Sequence, residues 1–303
     1  MEKKSPIVIY LNGFDIPKMK HSSFPIRFSN KKDIPSLKYL MKEIFGDHDS
    51  FINLFFNYKY EDNALIYEID GEIVSFAFLL SAHIRINNNK YPITYLYACG
   101  TKPEFRGKGY MKEILEEAHK IACARNEAGV FLLPANESLY SFYEKNNFSN
   151  FFYKTIVHYK PSQIKAPTSL LSSFSFINSK EYAQIRQKIL LQDGAIHWDE
   201  NHFLLMEKEM TGKQSYFFKI ESNSSISGIG FYSIYDNRLT VYEWLGDDVH
   251  KEDLVSFLFK QYTIRSVTIM QPGNDNKNGM IRLNPDFKLL MGKESGYFAF
   301  GLD

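Results

Sequence analysis

A chain of 303 residues is long enough for about two domains, each with its own buried core. Hydrophobic residues at 44% and charged residues at 23% exclude a disordered chain, and the 26 Phe and 20 Tyr favour sheets over a helical bundle. The net charge of +1 divides as 21 Lys+Arg to 18 Asp+Glu over residues 1–164 and 15 to 17 over 165–303, which excludes a nucleic-acid surface in either half.

Residues 1–24 read as an extension with one short strand and a polar connector. The apolar run Ile7 to Leu11 is too short for a signal-peptide core, and no stretch reaches the length that spans a bilayer, so a cytoplasmic protein without a membrane partner is expected. Patterned structure then begins. Pro25 to Ser29 is a candidate strand, and Asp33 to Phe45 an amphipathic helix stopped by Gly46. Asp47 or Asp49 is placed to cap a second helix carrying Phe51, Ile52, Phe55 and Phe56. Ala64 to Ile69, the turn Asp70-Gly71 and Ile73 to Ile86 form a hairpin signal, and Asn87 to Lys90 turns into a further strand over Ile93 to Cys99.

Gly100, Thr101 and Pro103 lead from that strand into Arg106-Gly107-Lys108-Gly109. A helix follows whose apolar residues Tyr110, Met111, Ile114, Leu115, Ala118, Ile121 and Ala122 recur at helical spacing. Two glycines tolerate positive φ and present no Cβ, so the NH groups of residues 107 to 111 can converge at the positive end of the helix dipole. That arrangement suits a pyrophosphate. Beyond the helix come a strand at Gly129 to Leu133, a short helix at Asn136 to Lys145 and a strand at Phe151 to Tyr159.

Residues 161–170, with clustered Pro and Ser, read as a linker. A similar order then restarts. Ser179 is placed to cap a helix through Leu191, and Asp199 to Met210 forms a second. Strands follow at Tyr216 to Ile220, Ile226 to Tyr235 and Leu239 to Leu245, then a helix at Glu252 to Tyr262 and strands at Val267 to Met270 and Tyr297 to Phe300. After Leu245 stand Asp247 and Asp248, where an anion would need donors and positive charge, so this half should bind no phosphate.

The run Thr101 to Gly109 resembles the acyl-coenzyme A signature of the GNAT N-acetyltransferases, Arg/Gln-x-x-Gly-x-Gly/Ala after a strand. Met111 stands where Gly or Ala is usual. A larger apolar residue there resembles the tandem-domain branch typified by the enhanced-intracellular-survival aminoglycoside acetyltransferases, here without their third domain. The resemblance implies an α+β fold of two tandem GNAT-like domains, each a mixed, mostly antiparallel sheet flanked by helices. Residues 25–160 would bind acyl-CoA, and a degenerate second domain over 171–303 would shape the acceptor pocket.

What the resemblance further implies is an acetyl-CoA-dependent transfer to the primary amine of a small molecule. Cys99, Gly100 and Thr101 would line the acyl end, and Arg106, Gly107, Lys108, Gly109, Tyr110, Met111, Lys112 and Asn136 would hold the cofactor. In the run Asn136 to Phe148, which is similar to the second GNAT motif, Tyr143 lies five residues before Phe148 and would protonate the departing thiolate. A phenol and a thiol have pKa values close enough for that transfer. Tyr140 is the second choice.

The base is less legible. Tyr95 stands where many family members carry a carboxylate, which leaves the Asp303 terminus as the candidate by resemblance to the tandem branch, with Glu137 and His83 behind it. The lack of an evident base keeps a catalytically silent acyl-CoA-binding protein as the alternative, and an aminoacyl-tRNA-dependent tandem-GNAT ligase behind that. No metal site is expected: Cys99 and Cys123 are the only cysteines, and the five-residue spacing of His197 and His202 does not place both rings on one helix face, so a helix cap with surface charge is the reading there.

Overall fold

The computed structural model describes residues 8–11, 14–17, 25–163, 173–288 and 295–302. Strands β1 (Val8–Leu11) and β2 (Phe14–Pro17) pair antiparallel in a small sheet of their own. The first half continues with β3 (Ile26–Phe28), α1 (Ile34–Phe45), α2 (Asp49–Tyr58), β4 (Ala64–Ile69), β5 (Glu72–Ile86), β6 (Asn89–Thr101), α3 (Tyr110–Ala124), β7 (Gly129–Leu132), α4 (Glu137–Glu144) and β8 (Ser149–Tyr159). This is the element order expected from the sequence. Only the second helix begins differently: His48 is its N-cap and no side chain caps it, so neither Asp47 nor Asp49 does.

The second half runs β9 (Ser173–Ile177), α5 (Ser179–Ile189), β10 (Ile196–His197), α6 (Glu200–Glu209), β11 (Ser215–Ser222), β12 (Ser225–Tyr235), β13 (Arg238–Gly246), α7 (Asp248–Gln261), β14 (Ser266–Pro272), β15 (Asn276–Leu283) and α8 (Pro285–Lys288). Asn178, not Ser179, caps α5 by accepting from the Glu181 N–H at 2.8 Å. Helix α7 starts a turn earlier than Glu252, because the Asp247 carboxylate supplies its cap.

Both halves share one sheet of 13 strands in the order β3-β4-β5-β6-β7-β15-β8-β14-β13-β12-β11-β9, with β10 paired to β5. Its centre is an exchange. Strand β8 of the first half pairs with β14 and β15 of the second, and β15 lies between β8 and β7. Arg282 on β15 clamps Glu116 on α3 through two hydrogen bonds of 2.8 and 3.1 Å.

The sequence did not predict β15, since Asn276-Lys277-Asn278-Gly279 has turn composition. Gly279 is required there for a packing reason: at φ 148° it sits on a bulge, and a Cβ would meet the Phe298 ring at 2.5 Å and the Leu132 carbonyl at 2.9 Å. Conversely, Tyr297 to Phe300 is not a strand. Only the isolated bridges Phe152↔Gly296 and Ala195↔Tyr297 form there, and the segment runs as an anchored tail.

Two apolar layers cover the first half of the sheet. One face carries Ile114, Leu115, Ala118 and Tyr143 from α3 and α4, packed on Leu96, Val130 and Leu132. The opposite face carries Leu37, Met41, Phe55 and Phe56 from α1 and α2, together with Tyr95, Tyr97, Phe298, Phe300 and Leu302.

Candidate active site

Strands β5 and β6 run in register until Phe78↔Tyr97, then slip to Phe76↔Gly100. The one extra residue on β6 makes a β-bulge in which Ala98 takes φ 50°, a conformation that costs a non-glycine residue about 1 kcal/mol or more. On its other edge β6 pairs with β7 in parallel at Thr94↔Val130 and Tyr95↔Phe131, and among the described residues the pairing ends there. From Leu96 onward the two strands part. The opening begins earlier than the Cys99 to Thr101 stretch expected from the sequence, and Cys99 itself joins the layer beneath α3 and α4.

Directly after β6 the chain makes the turn predicted to hold the cofactor. Gly107 and Gly109 have φ 76° and 91°, and a Cβ on either would meet nothing within 4 Å, so the left-handed conformation and the open approach are both realised. Gly109 is the N-cap of α3 and provides no side chain to its first N–H groups. Arg106 Nε donates to the Thr101 carbonyl at 3.1 Å and braces the turn, while the Lys108 ammonium lies 4.7 Å over the Phe105 ring. Tyr110 packs on Tyr67 with ring centroids 4.5 Å apart, Met111 packs into the layer under α3, and Lys112 is exposed.

Tyr143 and Cys99 meet through a hydrogen bond between phenol and thiol. Burial, then the adjacent thiol, raises the Tyr143 pKa well above that of an ordinary phenol. Burial likewise pushes the Cys99 thiol up to about 12. At neutral pH it is therefore protonated and unsuited to form an acyl-enzyme. Tyr140 lies beneath the Lys277 ammonium at 5.2 Å, and that ammonium also pairs with Glu137 at 3.4 Å. Asn136 is the N-cap residue of α4, its side chain accepting from Ser138 Oγ at 2.6 Å without capping the backbone. Thr101 turns its hydroxyl to Ser75 at 2.7 Å, and Gly100 leaves room for Phe76, Phe45 and Ile44, any of which a Cβ would press at 3.0 to 3.3 Å.

Across the sheet, on the face of α1 and α2, lies a cleft of about 420 Å³ bounded by α2, α6, β12, β13 and residues 297 to 302. Three side chains fix that tail by its carbonyls: Asn278 to Phe298 at 2.6 Å, Trp198 to Ala299 at 2.8 Å and His202 Nε2 to Phe300 at 2.7 Å. A Cβ on Gly301 would sit 3.3 Å from the Tyr95 hydroxyl and 3.0 Å from Leu133, just beyond the end of β7. The tail thus reaches the strands that part. Leu302 is buried, and Asp303 lies outside the described residues.

His197 and His202 are not the surface charges expected of them. Both are buried, His202 stacks on Trp198 at 4.1 Å, and only Asp199, which accepts from the His202 N–H at 2.7 Å, acts as the predicted cap. His83 faces His197 across β5 and β10, opposite Pro92 on β6 and far along the strand from the bulge. Seven residues separate Pro92 from Cys99, about 23 Å of strand. Among the described residues no group of three or more His, Cys, Asp or Glu side chains could hold a metal ion, and no helix is long and apolar enough to cross a membrane.

The second half repeats the bulge, and β13 likewise parts from β14 after Val241↔Ile269. Pairing of β12 and β13 slips between Tyr232↔Val241 and Phe231↔Glu243, so Glu243 occupies the place that Gly100 has in β6. Its buried carboxylate is held by Arg186 at 2.7 and 3.0 Å and by the Tyr182 hydroxyl at 2.5 Å. At the following turn Asp247 accepts from the His250 N–H at 2.8 Å and pairs with the His250 ring at 2.7 Å, putting a carboxylate where the first half has an uncapped helix start. Lys251 neutralises Asp248.

A sequence profile of the acetyltransferase (GNAT) domain matches residues 25–150, the segment that contains the bulge, the open turn and Tyr143. This amino-terminal segment is a GNAT acetyltransferase domain. Solved structures share the architecture well beyond it. A GCN5-related N-acetyltransferase from Anabaena variabilis superposes with a TM-score of 0.71 at 13% identity, covering 85% of this chain and 72% of that one. A probable N-acyltransferase from Enterococcus faecalis gives 0.69 at 14% identity over 85% and 72% of the two chains. Eis1 from Mycobacterium abscessus gives 0.68 at 12% identity over 85% and 73%. At such identities the likeness is one of fold, and it extends the GNAT architecture into the second half. A search of curated proteins finds no match to this chain.

For the GNAT domain, sequence reasoning reached the turn and Tyr143 through their motifs. It missed the left-handed Ala98, which has no glycine to announce it, and the tail clamp, whose donors come from positions 198, 202 and 278.

Proposed function

We propose that the protein is an acetyl-CoA-dependent N-acetyltransferase that acetylates the primary amine of a small molecule by direct attack, working in the cytoplasm without metal, nucleic acid or membrane. The turn at Arg106 to Lys112 takes the pyrophosphate, with Asn136 at the start of α4 beside the pantetheine arm, and the thioester enters the gap between β6 and β7. The amine nitrogen adds to the carbonyl, the carbon–sulfur bond breaks, and the Tyr143 phenol gives its proton to the thiolate while the nitrogen gives one to water in the cleft. One observation carries the reading: an uncapped helix start with left-handed Gly107 and Gly109 directly follows a strand that has parted from its neighbour, whereas the corresponding helix start of the second half is capped by the Asp247 carboxylate. The protonated Cys99 favours direct attack over a covalent intermediate.

Thiol release from acetyl-CoA, followed with a chromogenic disulfide across a broad amine panel, tests this. An amine-dependent rate far above slow hydrolysis is expected. Tight binding of acetyl-CoA with no release above hydrolysis for any amine would instead establish a silent acyl-CoA-binding protein.

A further inference from the structure

The Tyr143 phenol has a single proton to donate, and in the free protein it goes to the Cys99 sulfur. That contact depends on the extra residue in β6. Alternation along the strand puts Tyr95 and Tyr97 in the layer under α1 and α2, and Leu96 in the layer under α3 and α4. Continued without a break, it would send Cys99 to the side of the two tyrosines. The bulge instead sets Ala98 and Cys99 together opposite the single residue Ala77, so Ala98 stays with Tyr97 while Cys99 joins Ala77 on the opposite face. Tyr143 packs into that same layer from α4 and is buried there. The extra residue thus accounts for thiol and phenol sharing a face.

A sulfur suits this place. It is a weak acceptor, and burial keeps this thiol protonated and neutral, so the phenol is held in one orientation by a bond that exchanges at little cost. The sulfur of a thioester is also a weak acceptor until the carbon–sulfur bond breaks, and the departing thiolate is a far stronger one. Exchanging one neutral sulfur for another changes the energy little when the coenzyme binds. The gain falls at the transition state, where it lowers the barrier.

Resting on the acetyltransferase reading above, we infer that Cys99 is a positioning residue for the general acid: its sulfur holds the Tyr143 hydroxyl in one orientation until the coenzyme's sulfur takes its place as acceptor. The proton then passes from the phenol oxygen to the leaving thiolate, and water reprotonates the phenolate. Cys99 itself forms no bond to the acyl group.

Steady-state thiol release from acetyl-CoA, with the most active amine of the panel, tests this in Cys99→Ala, Cys99→Val and Cys99→Ser, each also combined with Tyr143→Phe. Ala and Val both remove the acceptor, and Val refills the volume so that a cavity is not the cause. These two should lose about tenfold in kcat while KM for acetyl-CoA stays within about twofold of the wild type. Cys99→Ser keeps an acceptor oxygen and should stay within about threefold of the wild type. On the Tyr143→Phe background all three should change kcat by less than about twofold, because the hydroxyl they position is gone. A full loss on that background, a loss through KM instead of kcat, equal losses in Cys99→Ser and Cys99→Ala, or an unchanged Cys99→Ala overturns the inference and leaves the acetyltransferase reading standing. A wild type that releases no thiol with any amine sinks both.

Discussion

Tyr143 is 6% exposed and hydrogen-bonded to a thiol that is itself protonated, so its proton stays in place throughout the neutral range. Tyr143→Phe keeps the ring and removes that proton. Turnover should drop about 100-fold with little change in acetyl-CoA affinity, as measured by steady-state kinetics beside calorimetry. An equal loss in both would assign Tyr143 to packing. Two histidines set a different limit. Burial holds His197 down to about 3 and His202 well below its ordinary value, so both are neutral when folded and protonate on unfolding. Below about pH 6.5 the unfolded chain binds more protons, and stability should fall as pH drops toward 3, by up to about 1.4 kcal/mol per pH unit for each histidine. Urea unfolding at pH 7 and pH 5 reads this, and His197→Leu should remove part of the difference. At this scale Tyr143 was legible because a motif marks it. The burial of His197 and His202 was not, since residues 297 to 300, remote in sequence, cover them.

Among the elements, the bulge in β6 carries the most consequence, because it breaks the register with β5 just where Cys99 joins the layer beneath α3 and α4. Ala98 tolerates φ 50° only at a cost, and a β-branched residue tolerates it far less. Ala98→Val should therefore destabilise the fold by about 1–2 kcal/mol in chemical denaturation. No loss would mean that this strand relaxes without the bulge. The helices and most strands were readable from periodicity, since their apolar faces lie on one sheet. Strand β15 was not: its Asn and Gly residues argue for a turn, yet the places on either side of it, against β7 and β8, demand a strand. Tertiary pairing overrode local preference there.

On the scale of the whole molecule, the strand exchange makes the two halves interdependent. Among the described residues, β8 finds its sheet partners only in β14 and β15, and β7 has β15 on its outer edge. A fragment ending at residue 163 should leave these edges bare and fail to give a dispersed NMR spectrum; a well-dispersed spectrum would show that the halves fold independently. The tandem plan was legible from the repeated element order, and the exchange was not, because it depends on pairings between residues more than 100 apart. The asymmetry of the halves bears on function, since one offers an uncapped, open turn and the other caps the corresponding helix start with the Asp247 carboxylate. Calorimetric titration of acetyl-CoA into the wild type and Gly109→Glu tests that asymmetry most directly. One site per chain, weakened at least about 100-fold by the variant, is predicted from the loss of the anion-binding turn. Two sites, or one site whose affinity Gly109→Glu leaves intact, would contradict it.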